Sequence, residues 1–186
     1  MGNNICVGLV YDEFSSIQNE LQNIIDYLIK IKTIIVNSKV ALDEDGNEWI
    51  EKYSSNINCE LLAKYYYGEI NGSISNFNGA EQMPIKISIQ KEKDFFGYIF
   101  YFDDIQLRKL FSIDEIEKII LDFIYELKSL SFTQFKYAFC DHDADVEYHP
   151  KRKKKIDKSY SLVYWPKKDQ NLIIRNSWKI DGITQR

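Results

Sequence analysis

Residues 95–140 read FFGYIFYFDDIQLRKLFSIDEIEKIILDFIYELKSLSFTQFKYAFC and contain two apolar runs on either side of an amphipathic segment. The runs 95–102 and 135–140 are short and rich in aromatic residues, which is typical of buried β-strands. Residues 113–130 instead place apolar side chains three and four positions apart, the spacing of one helix face. The stretch therefore predicts a strand, a helix and a second strand.

The helix over residues 113–130 has the clearest start signal in the chain. Ser112 and Glu115 match a capping box, and Phe111 and Ile116 match the two ends of a hydrophobic staple. The apolar stripe that we expect in the core consists of Ile116, Ile120, Phe123, Leu127 and Leu130. We therefore predict a helix that buries this stripe against a sheet.

The remaining chain adds one more helix and several strands. Residues 5–11 predict a buried strand, and the helix that follows has a capping box at Ser15 and Gln18. Asn71-Gly72 predicts a two-residue hairpin, while Pro84 opens the next strand and residues 49–63 are ambiguous between helix and loop. Further strands are predicted over residues 33–36, 39–42, 65–70, 73–77, 85–90, 160–165 and 172–178.

These elements predict an α+β fold: one mixed, largely antiparallel sheet with two long amphipathic helices packed on one face. The chain of 186 residues is the size of one ordinary domain, so we predict a single domain over residues 1–186. Residues 151–158, which include the run KRKKK, are expected to form a basic exposed loop.

The three cysteines indicate a reducing compartment. Cys6, Cys59 and Cys140 are an odd number without a C-x-x-C pair, so neither a disulfide framework nor a zinc site is expected. The first residues lack the basic and apolar regions of a signal peptide, and no apolar run reaches the length of a membrane span. We therefore expect a soluble protein of the cytoplasm with no membrane partner.

Charge is divided unevenly along the chain. Residues 1–148 carry 13 Lys and Arg against 25 Asp and Glu, a net charge of −12, whereas residues 149–186 carry 11 against 3, a net charge of +8. An acidic body argues against nucleic acid as its main ligand, because phosphate binding needs a basic face. The distribution favours a basic protein partner or self-association through opposite charges.

The segment 141–149, DHDADVEYH, is the candidate binding site. As an extended strand it would present Asp141, Asp143, Asp145, Glu147 and His149 on one face. Val146 and Arg152 stand where a calcium loop needs Gly and Glu, so an EF-hand is excluded. Three interpretations stay open: a charged strand edge, a site for a divalent ion, and a surface that binds a basic protein.

Other chemistry is poorly supported by the sequence. Cys140 and His142 would lie on one strand face, but the apolar residues before Cys140 favour a buried thiol. The sequence contains no G-x-S-x-G, G-x-G-x-x-G, P-loop, H-E-x-x-H or C-x-x-C motif. We therefore predict no enzyme and no cofactor.

The order of a strand, a capped helix and a strand of the type FKYAFCD, in a small acidic chain rich in tyrosine and isoleucine, resembles the α+β immunity proteins of bacterial polymorphic toxin systems. The resemblance covers mainly residues 95–148 and rests on layout, so it assigns no residue roles. It implies a protein that binds a cognate toxin domain and blocks its active site. Two alternatives remain: a metal-dependent hydrolase built on residues 141–149, and a nucleic-acid-binding or regulatory module that uses the basic tail.

Overall fold

A computed structural model of the chain describes residues 4–130, 135–168 and 170–186. Over these residues the strands are β1 (Asn4–Asp12), β2 (Thr33–Ala41), β3 (Trp49–Lys52), β4 (Tyr67–Phe77), β5 (Ala80–Lys91), β6 (Phe95–Asp103), β7 (Tyr137–His142), β8 (Leu162–Trp165) and β9 (Leu172–Arg175). The helices are α1 (Ile17–Lys30), α2 (Cys59–Lys64), α3 (Asp104–Leu110), α4 (Ile113–Ser129) and α5 (Lys153–Ser159). The fold is therefore α+β, as predicted.

The described strands form one open sheet in the order β3-β2-β4-β5-β6-β1-β7-β8-β9. Every strand pair in it is antiparallel, so the prediction of a mixed sheet was wrong. The chain begins with β1, α1 and β2, as the sequence predicts, but β1 pairs with β6 and β7, and three strands separate it from β2 in the sheet. Four of the eight strand pairs, β2–β3, β4–β5, β5–β6 and β8–β9, are hairpins, which join antiparallel strands by short connections.

The hairpin predicted at Asn71-Gly72 is absent from β4, which runs without a break through both residues. The chain instead turns at the second Asn-Gly pair, Asn78-Gly79, where both residues have positive φ, as a type I′ turn requires. Gly72 serves another purpose: a Cβ there would lie 2.7 Å from the Ile34 carbonyl oxygen, next to a bulge in β2. Its glycine lets the two backbones approach closely.

Several other boundaries differ from the sequence prediction. The bulge after Ile35 keeps β2 continuous where two strands were predicted, and β5 begins at Ala80 and runs through Pro84. Pro84 is tolerated because it lies beyond the last β5–β6 pair, Ile85 with Phe102. Helix α1 is capped by Ser16, whose side chain accepts from the Asn19 amide, and not by Ser15. Residues 49–63 contain β3 and the start of α2.

Helix α4 has the predicted start and the predicted buried stripe. The Ser112 side chain accepts from the Glu115 amide, and the Glu115 side chain accepts in return from the Ser112 amide. The stripe residues Ile116, Ile120, Phe123 and Leu127 are all buried, and Leu130 is partly buried. The ring of Phe123 packs edge-on against Phe100 and Phe102 of β6, so the helix lies on the sheet.

The sheet separates two apolar clusters. The first cluster contains the buried side chains of α1 and α4 together with Val7, Leu9 and other residues on one sheet face. The second cluster lies on the opposite face, where Val146 and Ile156 pack on residues of β1, β6, β7 and β8. A ring from β7 reaches into the space above Gly8: a Cβ at Gly8 would lie 2.1 Å from the Phe139 ring. This glycine therefore makes room for the second cluster.

The basic segment is partly helical and not a loop throughout. Lys153–Ser159 form α5, which buries Ile156 in the second cluster and leaves its lysines exposed. The expectation of a single domain stays a prediction. Among the described residues, no helix is both long and apolar enough to cross a membrane.

Candidate functional site

The segment after β7 crosses the sheet face that carries the second cluster, and its side chains alternate between this cluster and solvent. β7 ends at His142, and Asp143 turns the chain with a positive φ of 46°. From there Ala144, Val146 and Tyr148 pack into the second cluster, and Val146 is buried. The acidic residues that alternate with them, Asp143, Asp145 and Glu147, are exposed. These three residues are called the acidic ridge below.

Hydrogen bonds from neighbouring strands hold the acidic ridge in place. Asp143 Oδ1 accepts from the Asn4 amide at 3.0 Å. The Gln90 side chain bridges two positions, donating to Asp145 Oδ1 at 2.7 Å and accepting from the Val146 amide at 2.8 Å. The Tyr137 hydroxyl donates to the Tyr148 carbonyl at 2.6 Å. The ridge therefore presents three negative charges on a backbone that is anchored at several points.

Asp141 and His149 are not part of this ridge. Asp141 is a structural acceptor between β7 and β8: it receives hydrogen bonds from the Ser161 amide at 2.9 Å and the Ser161 hydroxyl at 2.7 Å. His149 is partly buried, with its ring against Phe95 and its Nδ1 accepting from the Lys151 amide at 3.0 Å. The predicted row of five side chains is thus a row of three, because local hydrogen bonds turn its two ends away.

Within residues 4–130, 135–168 and 170–186, no group of three or more His, Cys, Asp and Glu side chains is placed to hold a metal ion. Burial raises the pKa of the Cys140 thiol well above its usual range, and the residue is fully buried, as the sequence predicted. His142 lies partly exposed beside Asp143, with 3.6 Å between Nδ1 and Oδ2. A buried thiol of raised pKa is a poor nucleophile.

A second surface lies beside the acidic ridge and was not predicted. The residues of the second cluster pack on β1, β6, β7 and β8. On the same face of β2 to β5, extending to Tyr101 of β6, several side chains are partly exposed, although Ala41, Glu69 and Ser88 are buried. Strand register places six prominent side chains on this part of the sheet: Lys39, Trp49, Tyr67, Glu69, Lys86 and Tyr101. These six residues are called the open face below.

Side chains of the open face are joined to one another. Lys39 Nζ lies 2.8 Å from Glu69 Oε2 and 4.3 Å from the centre of the Trp49 ring. Lys86 Nζ lies 4.1 Å from the centre of the Tyr101 ring and 3.8 Å from Glu69 Oε1. The contacts combine an ion pair with cation–π attraction at each lysine. They give the open face a defined arrangement of rings and charges.

The open face meets the acidic ridge at Gln90. Tyr67 is paired with Gln90 in the β4–β5 register, and Gln90 holds Asp145. Burial raises the pKa of Tyr67, and the carboxylates of Glu69 and Asp145 add to this rise. The two surfaces are therefore close enough to share one electrostatic environment.

The sequence itself contains one signal for the open face. The alternation in residues 85–90, IKISIQ, predicts a half-buried strand, and its polar half lies on the side of the open face, where Lys86 and Gln90 are partly exposed and Ser88 is buried. The other members come from strands that are distant in sequence. Only the sheet order brings them together.

The basic run lies on the opposite side of the ridge from the open face. Lys151 to Lys155 are all exposed, and Lys153 Nζ lies 5.3 Å from the centre of the Trp165 ring. The lysines of α5 thus lie on its solvent side, whereas Ile156 packs the helix against the second cluster.

A family model described as immunity protein 64 matches residues 1–186 of the chain. No curated protein and no solved structure gives a significant match.

Proposed function

The chain belongs to the immunity protein 64 family, and from this membership we propose that it binds a cognate toxin domain through the acidic ridge and neutralises it. The family match over residues 1–186 is the observation that carries the proposal. It agrees with the toxin-binding role that the resemblance of residues 95–148 implies.

The acidic ridge is suited to a basic partner. Asp143, Asp145 and Glu147 are exposed, whereas the residues that alternate with them, Ala144, Val146 and Tyr148, pack into the second cluster. Like charges in a row repel one another, and this row forms no ion pair with a lysine or arginine among the described residues. A basic surface on the toxin would relieve this repulsion.

Such charges mainly increase the association rate of the two proteins. Complementary potentials steer two proteins together and are screened by salt over about 8 Å at physiological ionic strength. A toxin that cleaves nucleic acid would carry a basic cleft, because phosphate binding needs one. We propose that the partner is basic and that the complex forms in the cytoplasm, where three free cysteines stay reduced.

The test removes the ridge charges and keeps the hydrogen-bond acceptors. Replacing Asp143 and Asp145 by Asn and Glu147 by Gln preserves an acceptor oxygen at each position. Asn also tolerates the positive φ of residue 143. The variant should fold normally, bind its purified cognate toxin domain with a slower association rate, and lose most of the salt dependence of that rate.

A matched control removes three exposed carboxylates from the helical side of the sheet: Asp26→Asn, Glu60→Gln and Asp122→Asn. It has the same net charge as the ridge variant, so a general charge effect would slow both variants equally. If the ridge variant, the control and the unchanged protein all associate at the same rate, the acidic ridge is not part of the interface.

A further inference from the structure

We propose that the open face is the surface on which the toxin domain docks, and that the acidic ridge is the rim of this interface. The inference rests on the proposed function and deepens it. It commits to one occupant, a protein surface that carries exposed basic side chains.

The open face has an unusual composition for a solvated sheet face. Antiparallel sheets often turn one face to water, and polar side chains alone would suffice there. Here the face carries the rings of Trp49, Tyr67 and Tyr101, and the Trp49 side chain is 37 % exposed. Trp and Tyr are enriched at protein interfaces and at the positions that contribute most binding energy.

The rings are already positioned for binding. Trp49 and Tyr67 meet edge-on with 5.6 Å between ring centres, and the Tyr101 hydroxyl lies 3.2 Å from Ser88 Oγ. Lys39 lies over the Trp49 ring, and Lys86 lies over the Tyr101 ring. Because these side chains have few rotamers left to lose, docking on them costs little conformational entropy.

The charged residues around the open face indicate which kind of partner binds there. Lys39 and Lys86 both lie near Glu69, so the lysines of the face are partly compensated. The acidic ridge bounds one side through Gln90, and the β2–β3 loop, which ends at Trp49, adds the exposed residues Glu44, Asp45 and Glu48. A basic protein surface is therefore attracted from both sides.

The same charges disfavour two other occupants. A second copy of this chain, placed by a two-fold axis, would bring one acidic rim against the other. Nucleic acid would bring its phosphates to the same carboxylates. Only a basic partner matches both the rings and the rim.

The experiment measures the affinity of the purified cognate toxin domain for four proteins: the unchanged protein and three variants. Trp49→Ala removes an exposed ring on an edge strand. Gln82→Lys adds a positive charge without removing a contact, at an exposed position of β5 that lies on the same sheet face beyond Lys86. These two are called the open-face variants. Trp178→Ala is the matched control, because Trp178 is also exposed, 47 %, but follows β9 at the far edge. We expect each open-face variant to weaken binding at least tenfold, and the control to bind like the unchanged protein.

The outcomes separate this inference from the proposed function. If the unchanged protein binds and both open-face variants bind equally well, docking on the open face is overturned while toxin binding stands. If the unchanged protein does not bind, the proposed function is overturned, and this inference with it. Sedimentation of each protein alone gives a third outcome: a dimer that Trp49→Ala converts to a monomer would assign the face to a second copy and overturn the toxin as its occupant.

Discussion

Gly97 of β6 and Val146 of the covering segment are in such close contact that no side chain fits at position 97. A Cβ there would lie 2.6 Å from Val146 Cγ2 and 3.0 Å from the Leu9 carbonyl oxygen. The buried Val146 side chain thus rests on bare backbone, and this contact lets the acidic ridge lie close to the sheet. A glycine in a strand interior often marks such an approach.

Gly97→Ala should therefore destabilise the protein by about 1 to 3 kcal/mol, the usual cost of overpacking a core. Urea unfolding measures the change. Val146→Ala alone should also destabilise, but the double variant should be more stable than the sum of the two effects predicts, because the smaller side chain relieves the clash. Strictly additive effects would show that the two residues do not constrain each other.

Phe123→Ala should be among the most damaging single changes in α4. The ring is buried and contacts Phe100, Phe102 and Tyr27, so its removal leaves a cavity between helix and sheet. We expect a loss of about 3 to 5 kcal/mol in the free energy of unfolding. Leu110→Ala, at a position that is 54 % exposed, is the control and should change it little. An unaltered unfolding midpoint in Phe123→Ala would contradict the packing of α4 described here.

Stability should fall in acid partly because of Asp181. Burial alone would raise the pKa of this carboxyl, but hydrogen bonds from Thr184 and Arg108 outweigh burial and hold the pKa well below its usual range. Because the folded-state pKa lies below the unfolded value of about 3.9, the stabilisation is present above about pH 4 and is lost as the pH falls further.

Asp181→Asn should accordingly lower stability at neutral pH and flatten the decline below about pH 4. Unfolding free energies at neutral and acid pH measure both effects. The exposed Asp122→Asn serves as control and should keep the acid dependence of the unchanged protein. A variant at position 181 that declines in acid as steeply as this control would show that Asp181 does not contribute.

All three cysteines should resist alkylation in the folded protein. Cys6, Cys59 and Cys140 are buried free thiols, and burial raises the pKa of Cys6 to about 12 and that of Cys59 to about 11. Since the thiolate is the reactive form, little reaction is expected near neutral pH. Mass spectrometry should find almost no label on the native protein and three labels after denaturation, and a stable disulfide would appear as two missing labels.

Features that depend on neighbours in sequence could be predicted. The start of α4 follows from Ser112 and Glu115, because a capping box is formed by residues three positions apart. The alternation that exposes Asp143, Asp145 and Glu147 was likewise visible, because an extended chain turns successive side chains to opposite sides. These signals are local, so they can be recognised without knowledge of the fold.

Features that depend on the arrangement of strands could not be predicted. Two Asn-Gly pairs offered the same hairpin signal, and the turn forms at Asn78-Gly79 because Gly72 is needed where β2 and β4 approach closely. Trp49, Tyr67 and Tyr101 become one surface only because β3, β4 and β6 belong to the same sheet, with their registers linked through β2 and β5. The sequence by itself determined the amphipathic elements and the acidic character of this protein. Tertiary structure alone decided which side chains share a surface, since strand order is set by contacts between residues far apart in the chain.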